Sequence, residues 1–276
     1  MSYKNYVPRV WSKAINHELE KNLVFCADCN KEYEGQVKEM GDTVKILGVG
    51  KPSITTQVGG RIQLANPEMI ESTSVSMPID HISYFNYEID DIDKRQAVGG
   101  VMEALSTETS RGIADEMDKF VSSLAKDKLA VKHTPTATKL TKENILPTID
   151  DVLAKLYENN VKPTDFISMT VSPWFYMLLK QAYTALDTDN SKMLENGKVG
   201  RYGNVVVRMS NNITKDTQGN DLIMVRTNKA IAFANPMTHN EPYRPQSTFS
   251  DAIKGFILYG AKIVRPKEMF ILNCNH

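Results

Sequence analysis

The side chains that could carry out chemistry in this sequence are few and far apart. None of the five histidines has a carboxylate or cysteine partner at a spacing typical of a catalytic triad or a metal site; they are His17, His81, His133, His239 and His276. Cys26 and Cys29 form a CxxC pair, and Cys274 lies near the other end of the chain. A structural zinc site needs four ligands, and no second CxxC or HxxxH follows. We therefore predict plain reduced thiols and no metal site.

Two further clusters resemble binding motifs without completing them. Gly48-Val-Gly-Lys-Pro has glycines and a lysine but not the spacing of a phosphate-binding loop. Asp90, Asp91 and Asp93 resemble calcium ligands, but the glycine and glutamate of an EF-hand do not follow, and charge at a helix N-terminus explains them more simply. These absences favour a protein that is not an enzyme and has no cofactor. A soluble cytosolic enzyme stays open as an alternative, because catalytic groups can meet from distant parts of a chain.

The composition is that of an ordinary globular protein. Of 276 residues, 41% are apolar and 24% are charged, which excludes a disordered chain. Lys+Arg and Asp+Glu are both 33, so the basic excess of a dedicated nucleic-acid binder is missing, while dense self-association is permitted. No apolar run approaches 18 residues and no signal-peptide core begins the chain, so we expect a cytoplasmic protein with no membrane partner.

The first half of the chain predicts elements whose packing partners within the same chain are not evident. Residues 8–23 have the spacing of an amphipathic helix that includes Trp11 and Ile15, packed either on its own core or on a neighbouring subunit. Strands are predicted at 43–46 and around Tyr84 to Tyr87, with a long polar stretch between them that has no visible core face. This stretch is either a disordered flap or finds its partner on another molecule. The predicted self-assembly contacts are Trp11, Ile15, Val49, Lys51, Pro52 and Ile54.

A long helix over 91–127 is the strongest predicted element. Its apolar stripe, and hence its predicted core, contains Val101, Met102, Leu105, Met117, Phe120 and Leu124. The opposite face carries charged residues such as Glu108 and Asp115. Gly99, Gly100 and Gly112 weaken the helix or mark bends.

The second half of the chain alternates helices and strands. After a Lys-, Thr- and Pro-rich linker at 128–143, a helix around 149–156 and a strand at 166–171 are expected. A second helix starts at Pro173, with Trp174, Met177, Leu178 and Ala182 facing inward. Buried strands are expected at 205–209, 222–225 and 230–234, followed by strands at 253–259 and 262–272 with a turn at Pro266. Pro236, Pro242 and Pro245 are expected to interrupt regular structure. The fold class is therefore α+β.

The order of these elements resembles the Hong Kong 97-like fold of tailed-phage major capsid proteins. Leu23-Val-Phe, Tyr33-Glu-Gly-Gln and Gly41-Asp-Thr-Val-Lys-Ile resemble the start of that family's extended loop. Tyr84-Phe-Asn-Tyr-Glu-Ile-Asp-Asp-Ile-Asp-Lys-Arg-Gln-Ala resembles the return strand before the spine helix. Ser172-Pro-Trp and Gly200-Arg-Tyr-Gly-Asn-Val-Val-Val resemble axial-domain positions. The resemblance covers nearly the whole chain.

The resemblance implies a division of the chain into an N-terminal arm, an extended β-hairpin loop, a peripheral domain with the spine helix, and an α/β axial domain. In order, the segments are the arm at 1–35, the extended loop at 36–90, the peripheral domain with the spine helix at 91–143, the axial domain at 144–240, peripheral strands at 241–259, and the axial closing strand and C-terminus at 260–276.

The implied function is self-assembly into hexamers and pentamers of an icosahedral virion head that encloses double-stranded DNA. The helical scaffolding segment of some relatives is missing, which implies a separate scaffolding protein or a processed form; a portal is also implied. Packaged DNA would contact the arm and the spine helix without base-specific recognition. Assembly would take place in the host cytoplasm. An encapsulin-type bacterial nanocompartment, which shares this fold, and a tail or neck protein remain alternatives.

Overall fold

The computed structural model describes residues 22–33, 43–49, 54, 56, 59, 72–90, 101–134, 136–184, 200–247 and 250–275. Three α-helices lie within these ranges: α1 (Val101–Ser123), α2 (Ile145–Glu158) and α3 (Pro173–Thr184). Short 3₁₀ turns span Cys26–Asp28, Leu124–Lys126 and Pro266–Glu268. No helix in the described part of the chain is long and apolar enough to cross a membrane.

Eleven strands in the described ranges form three sheets. The strands are β1 (Thr43–Val49), β2 (Ser72–Pro78), β3 (His81–Asp90), β4 (Thr138–Lys139), β5 (Ile167–Val171), β6 (Arg201–Tyr202), β7 (Val205–Met209), β8 (Asp221–Thr227), β9 (Ile231–Tyr243), β10 (Ser250–Ile263) and β11 (Met269–Asn275). β1 pairs with β2, a three-stranded sheet has the order β3-β10-β9, and a six-stranded sheet has the order β4-β11-β8-β5-β7-β6. The predicted α+β class is confirmed.

The six-stranded sheet separates two hydrophobic cores. Alternate residues of β8 point to opposite sides, so that Leu222 and Met224 enter one core and Ile223 and Val225 enter the other. Because both faces are covered, β8 is buried along its whole length. Such a strand reads as a continuous apolar run.

Helices α2 and α3 cover one face of this sheet. The buried stripe of α3 consists of Phe175, Leu179 and Ala182, which are spaced four and three residues apart. The expectation that Met177 faces inward is wrong, because it lies off this stripe and is 54% exposed. Trp174 and Leu178 are only partly buried at the edge of the core.

Helix α1 covers the other face and also reaches the three-stranded sheet. Its C-terminal half inserts Ile113, Met117 and Val121 among residues of β8, β9, β10 and β11. In its N-terminal half the buried positions are serines, Ser106 and Ser110, and the Ser110 hydroxyl donates to the Ser106 carbonyl at 2.8 Å. Gly112 lies inside the helix without interrupting it.

The hairpin differs from the sequence expectation. β1 pairs antiparallel with β2, with Val44 opposite Met77, and not with the strand around Tyr84. That strand, β3, instead pairs along its whole length with β10. The long polar stretch is therefore bounded by β1 and β2, and β3 belongs to a different sheet.

Of the three prolines expected to interrupt regular structure, Pro245 lies in the irregular segment after β9, whereas Pro236 and Pro242 do not interrupt that strand. β9 runs through Pro236 and Pro242, which is possible because β9 is an edge strand of its sheet and its register with β10 shifts between Leu258 and Gly260. The turn expected at Pro266 is present as a 3₁₀ turn, which separates β10 from β11. The proposed division at 240/241 falls inside β9, and the one at 259/260 falls inside β10.

Candidate functional site: the arm anchor, the hairpin base and the outer sheet face

The described end of the N-terminal arm is held by a buried carboxylate on α1. Asp118 accepts hydrogen bonds from the backbone N–H groups of Val24 (2.8 Å), Phe25 (3.0 Å) and Cys26 (3.0 Å). These groups lie at the start of the 3₁₀ turn Cys26–Asp28, where no intrahelical acceptor is available. Asp118 therefore caps a turn that precedes it by more than ninety residues in the sequence.

The other end of the same turn is held by a buried guanidinium on β8. Arg226 is 1% exposed and donates to the carbonyls of Phe25 (2.6 Å) and Asp28 (3.0 Å) and to Cys29 Sγ (3.2 Å). The two charged side chains thus satisfy the donors and the acceptors of one turn, and we call residues 24–29 with Asp118 and Arg226 the arm anchor.

The arm anchor also contacts the axial sheet at its surface. The Asp28 carboxylate accepts two hydrogen bonds from the Arg208 guanidinium on β7, at 2.7 and 2.9 Å. Such bidentate pairs fix geometry as well as adding energy. Asn30 then bridges to β9, donating to the Ile231 carbonyl and accepting from the Phe233 N–H, both at 2.9 Å.

Burial dominates the electrostatics of the arm anchor. It raises the pKa of Asp118, although the backbone hydrogen bonds oppose that shift. Burial likewise raises the pKa of Cys26 and of Cys29. All three cysteines of the chain are buried free thiols, and a thiol whose pKa is raised by burial is a poor nucleophile.

The base of the β1–β2 hairpin packs on the three-stranded sheet. Val44, Ile46, Met77 and Ile79 form a small core with three residues of β9 and β10; these are Ala232, Ala234 and Leu258. Gly260 makes the close approach possible, because a Cβ there would collide with the carbonyl oxygen of Pro78. The hairpin is therefore fastened at its base.

The outward face of the three-stranded sheet carries large apolar side chains. Tyr84 is 82% exposed, and its partner across the strands is the half-buried Phe256. Tyr243 is held in place, since its hydroxyl donates to Asn86 at 3.0 Å and Lys254 Nζ lies 5.3 Å from its ring centre. Together with Ile82, these residues form what we call the outer sheet face, a surface suited to a partner.

Most of the predicted contact residues lie outside the described part of the chain; these are Trp11, Ile15, Lys51 and Pro52. The backbone of Val49 pairs with Ser72 in the hairpin, but its side chain is also outside the described set. Ile54 is 88% exposed. Their role in assembly stays a prediction.

The predicted spine-helix core is placed in part. Met117 is fully buried, whereas Phe120 and Leu124 are half-buried and pack at the edge of the core. The centroid of the Phe120 ring lies 3.9 Å from that of the His81 ring and 5.6 Å from that of the Tyr259 ring. Leu105 is half-buried, and Val101 and Met102 begin α1 with side chains outside the described set.

Sequence reasoning missed the charged residues of the arm anchor. The signal that could have revealed them is a charged residue among apolar neighbours. Asp118 directly follows Met117 on the buried side of α1, and Arg226 interrupts the apolar run of β8. A buried charge needs partners. Nothing in the sequence indicates that those partners are backbone groups of residues 24–29.

The described residues contain no group of three or more His, Cys, Asp or Glu side chains placed to hold a metal ion.

Comparison with known proteins gives matches in structure only. No family model matches the sequence, and no curated protein matches it. Among solved structures, that of Mycobacterium phage Che8 shares 25% sequence identity, with a TM-score of 0.73 over 92% of this chain and 91% of that one. The capsid structure of the cyanophage P-SCSP1u matches at 16% identity and a TM-score of 0.67, over 87% and 85% of the two chains. The mature capsid of bacteriophage PhiM1 matches at 15% identity and 0.65, over 92% and 88%.

The chain has the capsid fold of tailed phages. The resemblance drawn from the order of the elements is confirmed at the level of the fold. The division of the chain into arm, extended loop, peripheral domain and axial domain stays a prediction.

Proposed function

We propose that this chain is the major capsid protein of a tailed phage, a structural subunit that assembles into hexamers and pentamers of an icosahedral head. The observation that carries the proposal is the match to phage capsids over about nine-tenths of each chain, with a TM-score of 0.73 for phage Che8. A match over about nine-tenths of each chain is too extensive to rest on one common domain.

The anchored elements support an assembly role. The arm and the hairpin are fastened at one end each, by the Asp118 and Arg226 contacts and by the small core around Met77. An extended element that is fastened at its base can cross onto an adjacent subunit and add strands and apolar contacts there. Many such contacts act together in a closed shell, so each can be weak.

The partners follow from this role. The chain would associate mainly with copies of itself, and also with a separate scaffolding protein, a portal and the packaged DNA. Assembly would take place in the host cytoplasm, and the final location would be the virion. No catalytic step is part of the proposal.

Electron microscopy of the purified protein, in negative stain, tests the proposal directly. We expect capsomers, closed shells or open sheets, and sedimentation far above that of a 31.0 kDa monomer. A strictly monomeric species at high protein concentration, with scaffolding protein supplied, would contradict it. Shells that enclose a protein cargo and no DNA after expression in the native host would favour the nanocompartment alternative.

A further inference from the structure

The segment that links α1 to α2 is strongly basic, although the chain as a whole has no net charge. Residues 126–142 contain five lysines, one aspartate and one histidine. The lysines, which we call the lysine strip, are Lys126, Lys128, Lys132, Lys139 and Lys142, and all five are exposed. The assembly role described above makes no use of this charge.

The fold arranges part of the strip along one edge of the axial sheet. Lys132 lies beside Ile271 of β11 in a parallel bridge, and Lys139 lies beside Asn275 at the end of the same strand. Four residues of strand separate these two positions, which corresponds to about 13 Å at about 3.3 Å per residue. The Asn144 side chain fixes the following turn by donating to the Lys139 carbonyl at 2.9 Å. Two of the five lysines, Lys132 and Lys139, are therefore held at a fixed spacing by paired backbone, and the other three lie in the turns on either side.

The charge of the strip is not neutralised within the described part of the chain, where none of its five lysines takes part in an ion pair. The two adjacent acids have other contacts. Asp127 lies 3.8 Å from Lys262 Nζ, and Glu143 accepts a hydrogen bond from the Thr141 side chain.

The exposed face of the spine helix differs in this respect. Arg111 pairs with Glu108 at 2.8 Å, and Lys119 pairs with Glu116 at 2.7 Å. Asp115 adds a further exposed negative charge on the same helix. A polyanion is therefore attracted to the lysine strip more than to α1, which the sequence had suggested as a DNA contact.

We propose that the lysine strip is a contact surface for the phosphate backbone of double-stranded DNA. The inference rests on the proposed function, and it assigns the contact with the packaged genome to this edge of the axial sheet. Lysine is a point charge that suits phosphate contacts without reading bases. Because a duplex carries one charge per about 1.7 Å of its axis, Lys132 and Lys139, held about 13 Å apart, can each meet a phosphate in any register. The contact is therefore independent of sequence and sensitive to salt.

Binding of a fluorescent duplex of arbitrary sequence to the whole chain tests the proposal, at a protein concentration where only unassembled subunits sediment. The test variant carries Lys132→Gln, Lys139→Gln and Lys142→Gln. The matched control carries Lys119→Gln, Lys162→Gln and Lys229→Gln, which removes the same charge from exposed positions elsewhere. We expect the strip variant to bind at least about tenfold more weakly at low salt, with the slope of log affinity against log salt reduced by about 0.9 per lysine removed. The control should keep the wild-type slope.

Equal losses in the two variants, or no loss in either, would overturn the proposal. A polyglutamate competitor that binds the strip while the duplex does not would mean that the strip serves an acidic protein, and this would overturn it as well. Shell formation is scored on the same variants by electron microscopy. If the wild-type chain and the strip variant both form shells while DNA binding is unchanged, the DNA contact fails and the capsid function stands; if none forms shells, the capsid function fails whatever the DNA result.

Discussion

The six-stranded and the three-stranded sheet differ in what covers their faces. The six-stranded sheet is covered on both faces by helices of the same chain, so that β5 and β8 are buried throughout. One face of the three-stranded sheet packs on α1, while the opposite face carries the hairpin base at Leu258 and, beside it, exposes Ile82 and Tyr84. Large apolar side chains on an exposed sheet face mark an interaction surface. The comparison indicates that the six-stranded sheet is covered by elements of its own chain, whereas the three-stranded sheet leaves large side chains uncovered at Ile82 and Tyr84.

The largest expected effect is in the axial core. Phe175→Ala removes a fully buried ring beneath the six-stranded sheet and should lower the free energy of unfolding by about 3–5 kcal/mol. Phe120→Ala, on the half-buried edge of the spine helix, should cost less, about 1–3 kcal/mol, because solvent already reaches the ring. Urea denaturation of both variants measures the two costs. The opposite ranking would mean that the peripheral side is the more tightly packed one.

The arm anchor should show the next largest effect. Asp118→Asn keeps the shape of the side chain but directs an amide group at backbone N–H donors, which should cost about 1–3 kcal/mol and expose residues 22–33 to protease. Asp115→Asn, three residues away on the exposed face of α1, is the matched control and should stay within about 0.5 kcal/mol. Limited proteolysis with mass spectrometry locates the cleavage. An arm equally protected in both variants would show that Asp118 does not hold it.

Two glycine replacements compare a crowded backbone with an open one. Gly260→Ala pushes a methyl group into the Pro78 carbonyl and should cost about 1–3 kcal/mol as the hairpin base shifts. Gly112→Ala meets nothing within 4 Å on α1 and should stabilise the protein by about 0.5–1 kcal/mol. Thermal unfolding measures both. If both replacements changed the stability in the same direction, this would contradict the close approach of the hairpin to β10.

A pH effect should come from the turn before β8. The Asp216 carboxylate accepts hydrogen bonds from Asn220, from the Gln218 N–H and from Asn273, and these lower its pKa from 3.8 to about 2. Since the folded pKa is the lower one, the stability from Asp216 is present above pH 3.8 and is lost as the pH falls towards 2. The free energies of unfolding of the wild type and of Asp216→Asn, measured by denaturation across this pH window, should converge in acid. Parallel pH dependences would rule out the contribution of Asp216.

The smallest effect on stability should accompany a large effect on assembly. Tyr84→Ser on the outer sheet face should change the free energy of unfolding by no more than about 0.5 kcal/mol, because the ring is 82% exposed. Shell yield, measured by sedimentation, should nevertheless fall. Glu108→Ala on the exposed face of α1 is the control and should leave both quantities unchanged. Normal shell yield with Tyr84→Ser would remove this face from the set of assembly surfaces.

The sequence by itself determined the elements whose burial is local. The apolar runs of β5 and β8 and the period of α2 predict their structure directly, because strands and helices that face a core keep a regular pattern. The order of the elements was sufficient to indicate the capsid fold. The prediction was wrong for Met177, because the choice between two adjacent stripes on a short helix depends on where the sheet lies.

Only the tertiary structure decided which distant segments meet. The pairing of β1 with β2 and of β3 with β10 depends on long-range register, which no local pattern encodes. The passage of β9 through two prolines depends on its edge position. Most partners of Asp118 and Arg226 are backbone groups more than ninety residues away, and every residue has such groups. A sequence can therefore show that a buried charge needs a partner, but only the folded chain brings that partner to it.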